Sequence, residues 1–337
     1  MTNFDLSSDM MKKIPVKELK VGMHVKIPLS WLDHPFSRNQ FTIKDRQQIK
    51  EIKECGILNI EVDFSKSQLP PKPKTAEQSP KKEIEPPPKW NPETLVPDNL
   101  VQAIEDKSLD SKTKARAVYE NSLSLMSRLL ESPTTENITA SKGAISSVTD
   151  LILRDDETAH NMLLITSHDF YTYTHSVNVG IYSIMLAKEL FLHSDDHDLE
   201  ELGAGFFLHD LGKVNVDPAI INKPGRLTDD EMNQMRTHPY QGYKILKAAD
   251  ELSEECEYIV LQHHERYDGK GYPKRLKGDE IHIYGRICCL ADVFDALTAE
   301  RSYKESMSKF DALKLMRDEM HNFFSRDLLE PFILLFK

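Results

Sequence analysis

The sequence is short of cysteine, of long apolar runs and of positive charge. Only four cysteines occur in 337 residues: Cys55, Cys256, Cys288 and Cys289. Their spacing matches neither a zinc finger nor a disulfide framework. Cys288 and Cys289 adjoin each other in an apolar helical run and read as core thiols. No apolar stretch reaches the ~20 residues that span a bilayer, and the first thirteen residues carry no apolar signal core. A cytoplasmic protein away from the membrane is therefore expected. Acidic residues outnumber basic ones by 54 to 43, for a net charge of −11. That excess disfavours broad binding to nucleic acid polymers or anionic membranes, both polyanions, while allowing a local basic pocket.

What is present begins with a small α+β pattern. Val21, Met23, Val25, Ile27 and Leu29 alternate with polar or small residues, as do Leu58, Ile60, Val62 and Phe64, so each stretch predicts a half-buried strand. Between them Ile49 and Ile52 share one face of a polar helix that Gly56 would stop. The result is a strand-helix-strand unit over 11–65, with Trp31-Leu32-Asp33-His34-Pro35-Phe36 as a loop packed on it. His24 and His34 read as ordinary surface or loop histidines. Over 66–93 proline and lysine dominate, a composition that builds no core and predicts an extended linker. Helical periodicity follows. Ala115, Val118, Leu125 and Leu129 mark one helix face, and Ile145, Val148 and Ile152 another. These connecting helices, 94–157, are free either to pack on the next domain or to form a dimer stalk. From 158 to 337 the pattern stays helical, opening near Asp155–Glu157.

The chemistry gathers in that last region. His209-Asp210-Leu211-Gly212-Lys213 closes an apolar segment and sets an imidazole beside a carboxylate. An imidazole ligates first-row metals and a carboxylate can bridge two of them. His175 lies on a stripe with Val179, Tyr182, Leu186 and Leu190. Thr228 to Glu231 reads as a capping box opening a helix with Met232, Met235 and His238 on one side. A further helix runs through Cys256, Ile259, Val260 and His263, with His264 adjacent. Asp292 sits in the apolar run Leu290 to Leu297, where an unpaired carboxylate is costly. Five histidines and two aspartates on apolar segments of successive helices suit two divalent cations in a bundle interior. The absence of thiolate points to iron, manganese or zinc. Two such ions about 3.5–4 Å apart would generate a bridging hydroxide and grip a phosphoryl centre.

At these residues the sequence resembles the HD-GYP domain, a branch of the HD metal-dependent phosphohydrolases. The likeness runs from Thr158 to Lys337. It rests on His175-Ser176, the His209 to Lys213 motif, Lys223-Pro224-Gly225-Arg226-Leu227-Thr228 and His238-Pro239. It continues through His263-His264-Glu265-Arg266-Tyr267-Asp268-Gly269-Lys270-Gly271-Tyr272-Pro273, Ala291 to Thr298, and Arg301-Ser302-Tyr303-Lys304. The N-terminal unit resembles the small domain of unknown function that often precedes HD-GYP domains, through Gly22-Met23, the Trp31 to Phe36 stretch and Val62-Asp63.

The resemblance implies a mainly α protein, an all-helical HD-type bundle behind a small α+β domain. It also implies hydrolysis of cyclic di-GMP to pGpG, or onward to GMP. Carried over residue by residue, the metal ligands are His175, His209, Asp210, His238, His263, His264 and Asp292, with Asp210 bridging the two ions. Lys213 sits beside the nucleophilic hydroxide and the scissile phosphate. Arg301, Lys304 and Tyr272 are the implied substrate contacts. Some members bind a third metal through a Glu four residues before the first His; here that position is Tyr171, so two metals are expected and the second hydrolysis step is in question. The alternatives are a cyclic dinucleotide receptor acting through protein contacts, or a phosphohydrolase for another cyclic dinucleotide. Signalling proteins meeting the N-terminal domain or the Gly-Tyr-Pro loop, and a homodimer, are further partners the resemblance leaves open.

Overall fold

Each alternating stretch of the N-terminal region supplies one strand, shorter than its pattern, and two further strands join them. The computed structural model describes residues 11–27, 40–44, 46–54, 57, 59–64, 66–67, 90–166, 171–194, 196–223, 225–299 and 306–337. The predicted loop at 31–36, Gly56, Cys55, most of the proline-rich stretch, and both Arg301 and Lys304 lie outside the described residues. Two compact units result, Met1–Ile84 and Glu85–Lys337.

In the first unit, β1 (Met11–Pro15), β2 (His24–Lys26), β3 (Gln40–Thr42), α1 (Arg46–Glu54) and β4 (Asn59–Asp63) follow in order. They form a four-stranded sheet ordered β1-β4-β2-β3. Its pairs are antiparallel, with Val25 opposite both Phe41 and Val62. Ile52 of α1 packs fully buried with Val25, Ile60 and Val62. The strand expected over Val21–Leu29 is shorter than its alternation. Gly22 turns the chain at φ +93°, and Val21 is left 40% exposed. β1 and β3 were not anticipated: the first reads Met-Lys-Lys-Ile-Pro, without alternation, and the second is three residues long.

The second unit is helical. Its helices are α2 (Pro92–Leu95), α3 (Asp98–Glu105), α4 (Ser111–Glu131), α5 (Thr135–Arg154), α6 (Asp156–Ile165), α7 (Thr172–Phe191) and α8 (Leu199–Leu208). There follow α9 (Pro218–Ile221), α10 (Asp229–Met235), α11 (His238–Ala248), α12 (Glu254–Gln262), α13 (Ile283–Thr298), α14 (Lys309–Asp318) and α15 (Arg326–Leu334). Side-chain caps start many of them. Asp110 accepts from Lys112 and Thr113, Asp155 from Thr158, and Ser253 from Cys256. The capping box predicted at Thr228 and Glu231 is present. Each such cap is worth about 1 kcal/mol.

α4 packs on α6 and α7, and α5 on α8. The helices before the metal-binding region therefore share its core rather than standing off as a stalk. The Tyr119 hydroxyl on α4 donates to Asn178 Oδ1 on α7 at 2.8 Å. α7 is buried almost all round, as suits a central helix, and packs against α8 and α13. An aromatic cluster packs against its middle: Tyr182 stands edge-on to Phe294 at 5.2 Å, and Phe294 to Phe332 at 5.3 Å. Full burial of each ring contributes about 2–3 kcal/mol. Leu328 and Phe332 of α15 are buried there.

Candidate metal centre

Each implied ligand arrives from an element whose local rules fix its place. His175 lies in the first turn of α7, backed by buried neighbours on every side. His209 caps the C-terminus of α8 and Asp210 precedes a 3-10 turn, Leu211–Asn215. Gly212 permits that turn to touch α11: a Cβ there would meet His238 O at 1.9 Å and Gly242 N at 2.4 Å. His238 does not end the helix that begins at Asp229, contrary to the sequence reading. α10 stops at Met235 and His238 opens α11, with Pro239 in its first turn, where a missing N–H costs nothing. His263 is the C-cap of α12, one residue past its last turn. Asp292 lies within α13.

These side chains converge. One group comprises Asp210, His238, His263 and His264; a second comprises His175, His209 and Asp292; within each, the candidate donor atoms lie within 4.8 Å of one another. Asp210 joins the two. Its Oδ1 is 3.2 Å from His238 Nε2 and 3.7 Å from His263 Nε2, and its Oδ2 is 3.4 Å from His175 Nε2 and 3.5 Å from His209 Nε2. Asp292 spans the opposite edge, 3.2 Å from His175 Nε2 through one oxygen and 3.3 Å from His264 Nδ1 through the other. Lys213 Nζ donates to Asp210 Oδ2.

The tautomers follow from the other ring nitrogens. Nδ1 of His209 faces Phe206 O at 2.8 Å, that of His238 faces Met235 O at 2.7 Å, and that of His263 faces Val260 O at 3.0 Å. Nδ1 of His175 faces Asp295 Oδ2 at 2.7 Å. Every one of these partners is an acceptor, so Nδ1 carries the proton and Nε2 of the neutral ring a lone pair. Two lone pairs then meet at 3.1 Å between His238 and His263, and His175 Nε2 stands 3.4 Å from His209 Nε2.

Protons do not relieve that crowding throughout. Burial holds His238 and His263 below the usual imidazole range, and burial together with the neighbouring His263 holds His264 well below it. For His175, burial is outweighed by Asp210, Asp292 and Asp295, which raise it well above. Burial of Asp210 is overcome by Lys213 and the adjacent imidazoles, and that of Asp292 by His175 and His264, so both stay ionised. Asp210 Oδ1 is buried with no hydrogen-bond partner. A buried nest of lone pairs and carboxylate oxygens, without thiolate, fits hard or borderline divalent cations.

Three features escaped the sequence reading. Asp295, 2% exposed, holds His175 Nδ1 with one oxygen and accepts from Asn178 Nδ2 at 2.7 Å with the other. Its place three residues after Asp292 on one helix was the available signal. Glu265, 1% exposed, accepts from the backbone of Lys274 at 2.6 Å and Leu276 at 3.0 Å, tying down the loop that carries Gly271-Tyr272-Pro273. Gly271 is required there, since a Cβ would stand 2.4 Å from Arg266 N. Arg236 stands over Tyr272, a proximity no sequence spacing shows. The Tyr272 ring packs 4.6 Å from that of His264, at the edge of one donor group. Tyr171 is 58% exposed, one turn before His175, and stacks on Tyr173.

An all-helical bundle with this donor set defines a metal-dependent hydrolase of the HD type. Comparison with known proteins agrees. The HD domain profile matches residues 160–328, and that of a domain of unknown function, DUF3391, matches 11–136, running on into α5. A cyclic di-GMP phosphodiesterase of Pseudomonas aeruginosa is 30% identical over 327 residues, 96% of this chain and 76% of that protein. A 3′3′-cGAMP-specific phosphodiesterase of Vibrio cholerae is 36% identical over 189 residues, 56% of this chain and 36% of that protein. Among solved structures, a HDG"Y"P protein from Bdellovibrio bacteriovorus covers 96% of this chain and 99% of its own at a TM-score of 0.60; at 17% identity this shows a shared fold. The chain belongs to the HD domain family, and with Gly271-Tyr272-Pro273 to its HD-GYP branch. Among the described residues no helix is long and apolar enough to cross a membrane.

Proposed function

We propose that the chain is a phosphodiesterase that hydrolyses cyclic di-GMP to pGpG with two divalent metal ions, iron or manganese before zinc. The observation that carries this is Asp210, whose two oxygens face two separate sets of imidazole lone pairs. One ion would be held by Asp210, His238, His263 and His264, the other by Asp210, His175, His209 and Asp292. When bound, the ions would supply Lewis-acid polarisation of the phosphodiester and activation of water.

The protein's own groups do the rest. The Nδ1 partners of His175, His209, His238 and His263 hold those four rings with Nε2 inward, so they need no reorientation before metal binding. Lys213, held by Asp210, keeps a positive charge next to the reacting phosphate and stabilises the charge that develops on it. Tyr272, whose phenol burial keeps neutral, offers a flat apolar ring beside His264 for a base. Arg301 and Lys304 are assigned to the same substrate. The division that goes with this reading is a small α+β domain at 11–65, a linker at 66–93, connecting helices at 94–157 and the catalytic domain at 158–337.

The likeness to a 3′3′-cGAMP-specific enzyme favours a second reading, in which the mixed dinucleotide is the better substrate. A panel of cyclic di-GMP, 3′3′-cGAMP and cyclic di-AMP, incubated with metal-loaded protein and resolved by chromatography, separates the two. Cyclic di-GMP should turn over fastest, and an H209A/D210A protein should lose at least about 10²–10³-fold in rate. Equal rates for that variant and wild type sink the mechanism, and tight binding without turnover makes the chain a receptor.

A further inference from the structure

Among the described residues, two cations near the site are already engaged. Lys213 is taken up by Asp210. Arg266 pairs with Asp268 at 2.5 Å and lies over the Phe323 ring. Arg236 differs. It caps the C-terminus of α10, its backbone N–H bonded to Met232 O and Gln234 O, two residues ahead of His238. Its side chain is exposed and has no carboxylate partner among the described residues. Its guanidinium carbon stands 5.6 Å from the centre of the Tyr272 ring. That ring in turn lies 4.6 Å from His264 and 6.5 Å from His238. An unpaired cationic fork is thus held over an aromatic plate at the edge of one donor group.

We propose that Arg236 binds the second phosphodiester of a cyclic dinucleotide, the one not being cut, and so selects a two-phosphate ring over a simple phosphodiester. This rests on the reading of the site as a cyclic dinucleotide phosphodiesterase. Such a ligand is a dianion approaching a protein of net charge −11 whose site already holds two ionised carboxylates. Metals and Lys213 answer the phosphate at the reacting centre. The other phosphate, across the ring, needs its own counter-charge near the rim. A guanidinium suits that role because it stays charged, donates two parallel bonds to one phosphate, and keeps its plane when stacked on an aromatic face.

The test compares R236A and R236K with wild type on cyclic di-GMP and on bis(p-nitrophenyl) phosphate, which has one phosphodiester. For R236A the KM for cyclic di-GMP should rise about 10-fold or more, the loss of a charge-assisted contact. Its kcat, metal content and turnover of bis(p-nitrophenyl) phosphate should stay within about 2-fold of wild type, and R236K should recover part of the KM. An unchanged KM in R236A overturns the inference. So does an equal loss on both substrates, which marks a structural role. Wild-type protein that cleaves bis(p-nitrophenyl) phosphate but no cyclic dinucleotide overturns the functional reading itself, and is told apart from the first two results because it needs no variant.

Discussion

Asp295 offers the sharpest test of how the centre is held. Its carboxylate accepts from His175 Nδ1 at 2.7 Å and from Asn178 Nδ2 at 2.7 Å, and it is 2% exposed, so no solvent replaces either bond. Asp295→Asn keeps the shape and removes one acceptor. If the new amide turns its oxygen to His175, its NH2 group faces the NH2 of Asn178, donor against donor. If it turns the other way, NH2 faces Nδ1, the ring proton moves to Nε2, and the lone pair aimed at Asp210 and Asp292 is lost. Either way the ligand is mis-set. Outer-shell partners of this kind are worth about 10–100-fold in metal affinity, or about 1.4–2.7 kcal/mol. Competition with a chelator, followed by Mn²⁺ titration, should show that weakening at a melting temperature close to wild type. The exchange N178D/D295N restores the pattern. The amide introduced on α13 accepts from His175 and donates to the carboxylate introduced on α7, which still accepts from Tyr119. The double variant should recover most of the affinity. D295N that binds Mn²⁺ within about 2-fold of wild type, at an unchanged melting temperature, refutes the tautomer argument.

Other consequences are as direct. Gly212→Ala sets a methyl against two backbone atoms, His238 O and Gly242 N, and should cost about 3 kcal/mol or more in urea unfolding; a wild-type midpoint contradicts this. Lys309 Nζ donates to Leu163 O at 2.7 Å and Thr166 Oγ1 at 2.9 Å, and burial pushes it down to about 8. From there up to its ordinary value of 10.5 the unfolded chain binds more protons than the native one, so stability rises with pH in that window. Against a K309M protein, wild type should gain about 1–2 kcal/mol over that interval, discounted for partial exposure; a flat difference would contradict the shift. Tyr171→Glu places a carboxylate one turn before His175 and should raise both bound metal and GMP formation from pGpG; no change in either removes Tyr171 as the reason for a two-metal site.

Much of the site was legible because its parts are short and local. His209-Asp210 follows an apolar helix end, and His263-His264 another, so the ligands announce themselves where core residues are expected. Asp292 was legible for the same reason, although its side chain keeps 14% exposure and is paired by two imidazoles rather than enclosed in apolar groups. Asp295 was missed although it stands three residues after Asp292, because that spacing puts two carboxylates on one face without saying that the second holds His175. Arg236 and Tyr272 come together only through the fold. His238 was placed on the wrong helix because Pro239 read as a break, whereas proline in a first turn marks a beginning. In the N-terminal unit, β1 and β3 are too short or too irregular for period-two reading, while α1 buries Ile52 and β4 buries Ile60 and Val62, with Phe64 left 39% exposed past the strand's end.

The proposed activity is hydrolysis of a cyclic dinucleotide at a centre where Asp210 would be shared by two divalent ions. Anaerobic purification with metal analysis, followed by incubation with cyclic di-GMP and chromatography of the products, tests it most directly. Two divalent ions per chain and the appearance of pGpG are expected. Two ions per chain with cyclic di-GMP left intact contradicts the proposed activity, and a chain that holds no metal after anaerobic handling contradicts the centre itself.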